Sequence, residues 1–74
     1  MPQHRMPKLL DMVAVLSVPQ DVQVEVGDVG TVVELLPPDA VEVEFLDPDG
    51  RTRCVATLPA SDVLVLNRQR TRVS

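Results

Sequence analysis

Gly27-Asp28-Val29-Gly30-Thr31-Val32-Val33-Glu34-Leu35, followed by Pro37-Pro38-Asp39 and then Val41-Glu42-Val43-Glu44-Phe45, decides the fold. Two glycines three apart around an acidic residue predict a sharp turn with backbone at positive φ, which glycine reaches without steric cost. Gly27, Asp28 and Gly30 are therefore read as turn residues, with Asp28 accepting hydrogen bonds from its own turn. After the turn, valines and leucines alternate with glutamates over two runs separated by prolines, the pattern of a β-hairpin. Residues opposed across such a hairpin share a face. Pairing Leu35 with Val41, Val33 with Val43 and Thr31 with Phe45 puts an apolar set inside and leaves 36–40 as the loop. In that register Val32 points outward unless a bulge near Val33 and Glu34 turns it back.

Working outward, Asp47-Pro48-Asp49-Gly50 has the residue order of a type I turn, which makes Asp47 and Gly50 structural. A four-residue loop there groups Thr52, Cys54 and Ala56 with the buried face of the preceding strand and keeps Arg53 out of the core, where an unpaired charge would cost several kcal/mol. The apolar run from Met12 to Val18, ended by Pro19, predicts a first strand buried on both sides or nearly so. Residues 19 to 26 predict an irregular connection, and Leu9 to Asp11 a short turn. Leu58 to Asp62 predicts a strand break with a single 3-10 turn, and 63 to 66 the last strand. The fold class is all-β: a small five-stranded, partly open SH3-like barrel with one 3-10 turn before the last strand. The organisation is a flexible arm over 1–8, the barrel over 9–67 and a disordered basic tail over 68–74.

Composition bounds the function. A chain of 74 residues holds one domain that buries only about 60% of its unfolded surface. Its single cysteine, Cys54, and single histidine, His4, allow neither a disulfide nor a Cys/His zinc site within the chain. No metal and no cofactor is expected. Between residues 9 and 67 stand all eleven acidic side chains and two basic ones, Arg51 and Arg53, a net charge of −9. Such a body repels phosphate backbones, which argues against nucleic acid. With one aromatic residue, Phe45, in the whole chain, there is no platform for bases and no aromatic wall for polyproline or methyl-lysine. No apolar run reaches the roughly 18 residues of a membrane span, and no signal-peptide pattern is present, so the expectation is a cytoplasmic protein with Cys54 reduced.

Leu9 to Val15, Gly27 to Glu34, Val41 to Phe45, Asp49 to Thr52 and Thr57-Leu58 together resemble a short bacterial family of domains of unknown function, of the DUF4926 type, over about residues 9–66. That resemblance implies a single small SH3-like domain and brings no catalytic residues. The glycine turn and following strand also resemble KOW-type barrels and the SH3-like domain of the nitrile hydratase β-subunit.

No nucleophile, base or carboxylate pair stands at a recognisable spacing, so an enzyme is not expected. The leading expectation is a protein-interaction module that self-associates, as a homo-oligomer, or binds another protein. Candidate interaction residues are Glu34, Glu42 and Glu44 on the outer face, with Val32 and Val55 and either Val63 or Val65 as surface aliphatics. The alternative is an accessory or regulatory subunit, antitoxin- or immunity-like, whose acidic face neutralises a basic partner. Nucleic-acid binding through Arg68, Arg70 and Arg72 ranks last.

Overall fold

The computed structural model of the chain describes residues 5–19 and 21–66. Residues 1–4, with His4, and the basic segment 68–74 lie outside the described residues. The elements in order are β1 (Met12–Val15), β2 (Val29–Leu36), β3 (Ala40–Leu46), β4 (Thr52–Pro59), a 3-10 turn (Ala60–Asp62) and β5 (Val63–Val65). All five strands join in one antiparallel sheet of order β4-β3-β2-β1-β5. The sheet is not closed, so β4 and β5 are its two edges. Strand count, the all-antiparallel pairing and the 3-10 turn before the last strand agree with the sequence.

The core is aliphatic with one ring at its centre. Val13 and Val15 of β1, Val32 of β2, Val41, Val43 and Phe45 of β3, Leu58 of β4 and Val63 of β5 are each fully buried. Every second residue of β3 is in this set, as expected of a strand with one face on the core. Val24, from the long connection between β1 and β2, adds to the cluster, and Cys54 is partly buried against it. That connection is closed at its root by two backbone bonds, Val15 N–H to Asp28 O at 2.9 Å and Gly27 N–H to Val15 O at 2.8 Å.

A bulge decides the register of β2. Leu35 pairs with Val41 and Glu34 with Glu42, as the alternation requires, but beyond them Val32 pairs with Val43 and Thr31 with Glu44. Val33 is the extra residue, so the expected pairs Val33 with Val43 and Thr31 with Phe45 do not form. The inserted residue rotates Val32 into the core and sends Thr31 outward. There the Thr31 hydroxyl donates to Met12 Sδ at 3.2 Å. Val32 is accordingly no surface residue, and neither is Val63; Val65 is partly buried.

Other boundaries shift for local reasons. β1 stops at Val15, three residues short of the apolar run, and its outer side is open, with Met12 exposed. Leu36 pairs with Ala40, which shortens the hairpin loop to Pro37, Pro38 and Asp39. β5 ends at Val65. Pro7 is buried and Lys8 N–H donates to Asp11 Oδ2 at 2.9 Å, so folded contacts begin before Leu9. Gly30 is not a turn residue: it lies within β2 opposite Val13, while Gly27 alone of the pair has positive φ, at 93°.

The turn from Asp47 to Gly50 is held by one side chain. Asp47 Oδ1 accepts from the N–H groups of Asp49 at 2.9 Å and Arg51 at 3.0 Å. Gly50 N–H donates to Asp47 O at 2.9 Å. Asp47→Ala removes two charge-assisted bonds at a solvated site and is expected to cost about 1 kcal/mol, read as a lowered urea midpoint with an unchanged slope.

Candidate interaction face

Pairing across strands fixes which outward side chains stand together. Ala14 of β1 pairs with Leu64 of β5 on one side and Val29 of β2 on the other. The β2–β3 ladder ends at Thr31 and Glu44; beyond it Gly30 packs close to Phe45, and Val29 and Leu46 of β3 border the same hollow. The result is a row of four aliphatic residues, Leu64, Ala14, Val29 and Leu46, across four neighbouring strands on the side away from the core. Leu64 is 45% exposed, Val29 47% and Leu46 54%. Paired residues share a face, so these side chains adjoin one another in water.

The next row along the strands is mixed: Met12, Thr31, Glu44 and Val55. The one after it is acidic and polar, Glu34, Glu42 and Thr57. Thr57 Oγ1 donates to Glu42 Oε2 at 3.1 Å, and Thr52 Oγ1 donates to Glu44 Oε2. Both hydroxyls hold the carboxylates flat on the sheet. Like charges at Glu34 and Glu42 stand directly opposed, a pairing that weakens a hairpin. The outer face is thus graded, apolar at the end near the glycine turn and anionic at the end near Pro37.

At the Leu46 end the apolar row runs into an open hollow of about 700 Å³ whose rim includes Val22, Val24, Asp28, Val29, Phe45 and Arg53. Arg53 is there because of a second bulge. Phe45 pairs with Cys54 but Leu46 with Thr52, which makes Arg53 the extra residue of β4. Displaced from the alternation, its guanidinium turns to the β1–β2 connection, donating to Gln23 O at 3.0 Å and Asp28 Oδ2 at 3.2 Å. It also lies 5.9 Å from the centre of the Phe45 ring. Asp28 meanwhile accepts from Glu25 N–H at 2.9 Å, which caps the glycine turn. Both partners of this ion pair are over a third exposed, so the pair positions the connection and adds little stability.

Of the residues picked out from the sequence, Glu34, Glu42, Glu44 and Val55 come together on the outer face. Val32 does not. Thr52 is opposite Leu46 and outside, whereas Cys54 and Ala56 share the side of Phe45 and Val43, paired two residues further along than a four-residue loop implies. Ala14, Val29, Leu46 and Leu64 were missed: Ala14 and Leu64 stand in aliphatic runs that read as core, and Val29 and Leu46 sit beside turns. The available signal was parity: with Phe45 inside, Leu46 must point out. Among the described residues no group of three or more His, Cys, Asp and Glu side chains converges, and no helix is long and apolar enough to cross a membrane.

If the row serves binding and not folding, its loss leaves stability intact. Val29→Thr and Leu46→Thr are each expected to shift the unfolding free energy by no more than about 0.5 kcal/mol, measured by urea titration; a loss above about 2 kcal/mol would assign these side chains to the core.

Searches of curated proteins and of solved structures return no match. The model of the family described as domain of unknown function (DUF4926) matches residues 9–65. That span takes in all five strands, the glycine turn and the whole graded outer face, and the chain belongs to the DUF4926 family.

Proposed function

We propose that this protein is a non-enzymatic interaction module that meets another protein chain, its own or a different one, through the outer face of β5, β1, β2 and β3. The observation that carries this reading is the row Leu64, Ala14, Val29 and Leu46. Scattered exposed aliphatics are ordinary, but three in register across β5, β1 and β2, continued by Leu46 of β3, form an apolar strip. The strip has a polar, charged border on one side, as protein interfaces have. Folding does not require it, since the opposite face of the same strands supplies the buried core. Exposing it to water without a partner has a solubility cost that the surrounding carboxylates only partly offset.

A photo-activatable cross-linking residue at position 29, in cells that make the protein, tests this. Cross-linking to a protein from position 29, with none from a control position at Asp49 on the distal turn, is the expected result. Equal yields from both positions, or none from either, contradict the reading.

A further inference from the structure

We infer that the partner of this face is a basic amphipathic surface of another protein, a helix with an apolar stripe and lysines or arginines along one border, and not a second copy of this chain. The inference rests on the outer face being the binding face, and it adds the chemistry of the occupant.

Two features of the face select that chemistry. The apolar row spans three inter-strand gaps, about 14 Å at roughly 4.8 Å each, a length that about three turns of helix cover at 5.4 Å per turn. Along β3, Glu44 and Glu42 precede Leu46 by two and four residues, about 7 Å and about 14 Å away. A helix laid on the row, about 10 Å across with its side chains, projects the residues of one flank over these carboxylates. Lysine or arginine there meets Glu44, while Glu42 and Glu34, further along the strands, act through the field they add at that border. Val55, opposite Glu44, extends the apolar contact beneath the stems of those long cations.

Charge decides against a second copy. Eleven acidic side chains against two basic ones between residues 9 and 67, in a chain of net charge −4, make two such bodies repel when their outer faces approach each other. Of the two arginines, Arg53 is already engaged within its own chain by Gln23 O and Asp28 Oδ2. A basic partner relieves the opposed Glu34 and Glu42 as it binds, and the field of the acidic body speeds encounter at low salt.

The full chain is titrated with three fluorescent probe peptides: a leucine–lysine amphipathic helix, its leucine–glutamate counterpart, and a composition-matched leucine–lysine peptide whose order destroys the apolar stripe. The first is expected to bind at least tenfold more tightly than either of the others and to weaken as salt rises. Val29→Lys is expected to weaken it at least tenfold, and Glu42→Gln combined with Glu44→Gln about threefold or more, with both variants as stably folded as the parent. Equal affinity for the ordered and disordered leucine–lysine peptides, or unchanged affinity in Val29→Lys, overturns the inference. If the probes fail while position 29 still cross-links to a protein, the partner chemistry falls and the interaction face stands; if both fail, both fall.

Discussion

Replacing Phe45 by alanine is expected to cost about 4 kcal/mol, the upper part of the range for emptying an aromatic site in a closed core. Phe45 is 1% exposed and is the chain's one aromatic residue. It sits between Val43 and Cys54 on the inner face, close to Gly30 and under the Arg53 guanidinium. Its neighbours are valines, whose short branched side chains have one preferred rotamer and cannot swing in to fill the space. Domains of this size hold stability near the low end of about 5 to 15 kcal/mol, so the variant should be largely unfolded at 37 °C. Phe45→Leu keeps most of the volume and is expected to lose about half as much. Circular dichroism melting of the two variants separates the cavity from the ring: equal losses would mean that the ring, and not its volume, is what the core needs.

Gly30→Ala is expected to be nearly as damaging for the opposite reason. A Cβ built on Gly30 lies 2.6 Å from Val43 Cγ1, 2.7 Å from the Glu44 carbonyl oxygen and 2.9 Å from Phe45 Cδ1. One of these is backbone of the adjacent strand, so β2 and β3 would have to separate. Overpacking of this kind costs about 3 kcal/mol. The glycine at 27 makes a useful contrast: a Cβ there meets nothing within 4 Å, but φ of 93° strains any L side chain, worth about 1 kcal/mol. Urea unfolding should therefore rank Gly30→Ala well below Gly27→Ala. The reverse ranking would mean that the two strands have room to part.

The same two glycines show what could be read from the chain and what could not. Both were expected in one turn, and only Gly27 is, because a glycine needed for close approach of strands has the same symbol as one needed for positive φ. Turn chemistry was legible where it is local: Asp47 and Gly50 close the distal turn, and Asp28 caps its own loop. Register was legible at the Leu35 to Val41 end and lost at Val33, since Val32-Val33 offers two valines for one inward position and alternation cannot say which is skipped. Val63-Leu64-Val65-Leu66 poses the same ambiguity, and it is the pairing of β5 with β1 that places Val63 inside and Leu64 outside. Of the outer face, the glutamates stood out by charge. The apolar row did not, because it becomes visible only when residues 15, 17 and 50 apart in sequence are set side by side by the sheet.

Binding along the graded outer face is read residue by residue in amide NMR spectra of the labelled full chain, recorded while the leucine–lysine amphipathic peptide is added. The shifts should fall on Ala14, Val29, Leu46 and Leu64 and continue through Glu44 and Val55, leaving the turn from Asp47 to Gly50 and the 3-10 turn unmoved. Shifts confined to the hollow around Val22, Gln23 and Arg53, or spread evenly over every acidic residue, would contradict it.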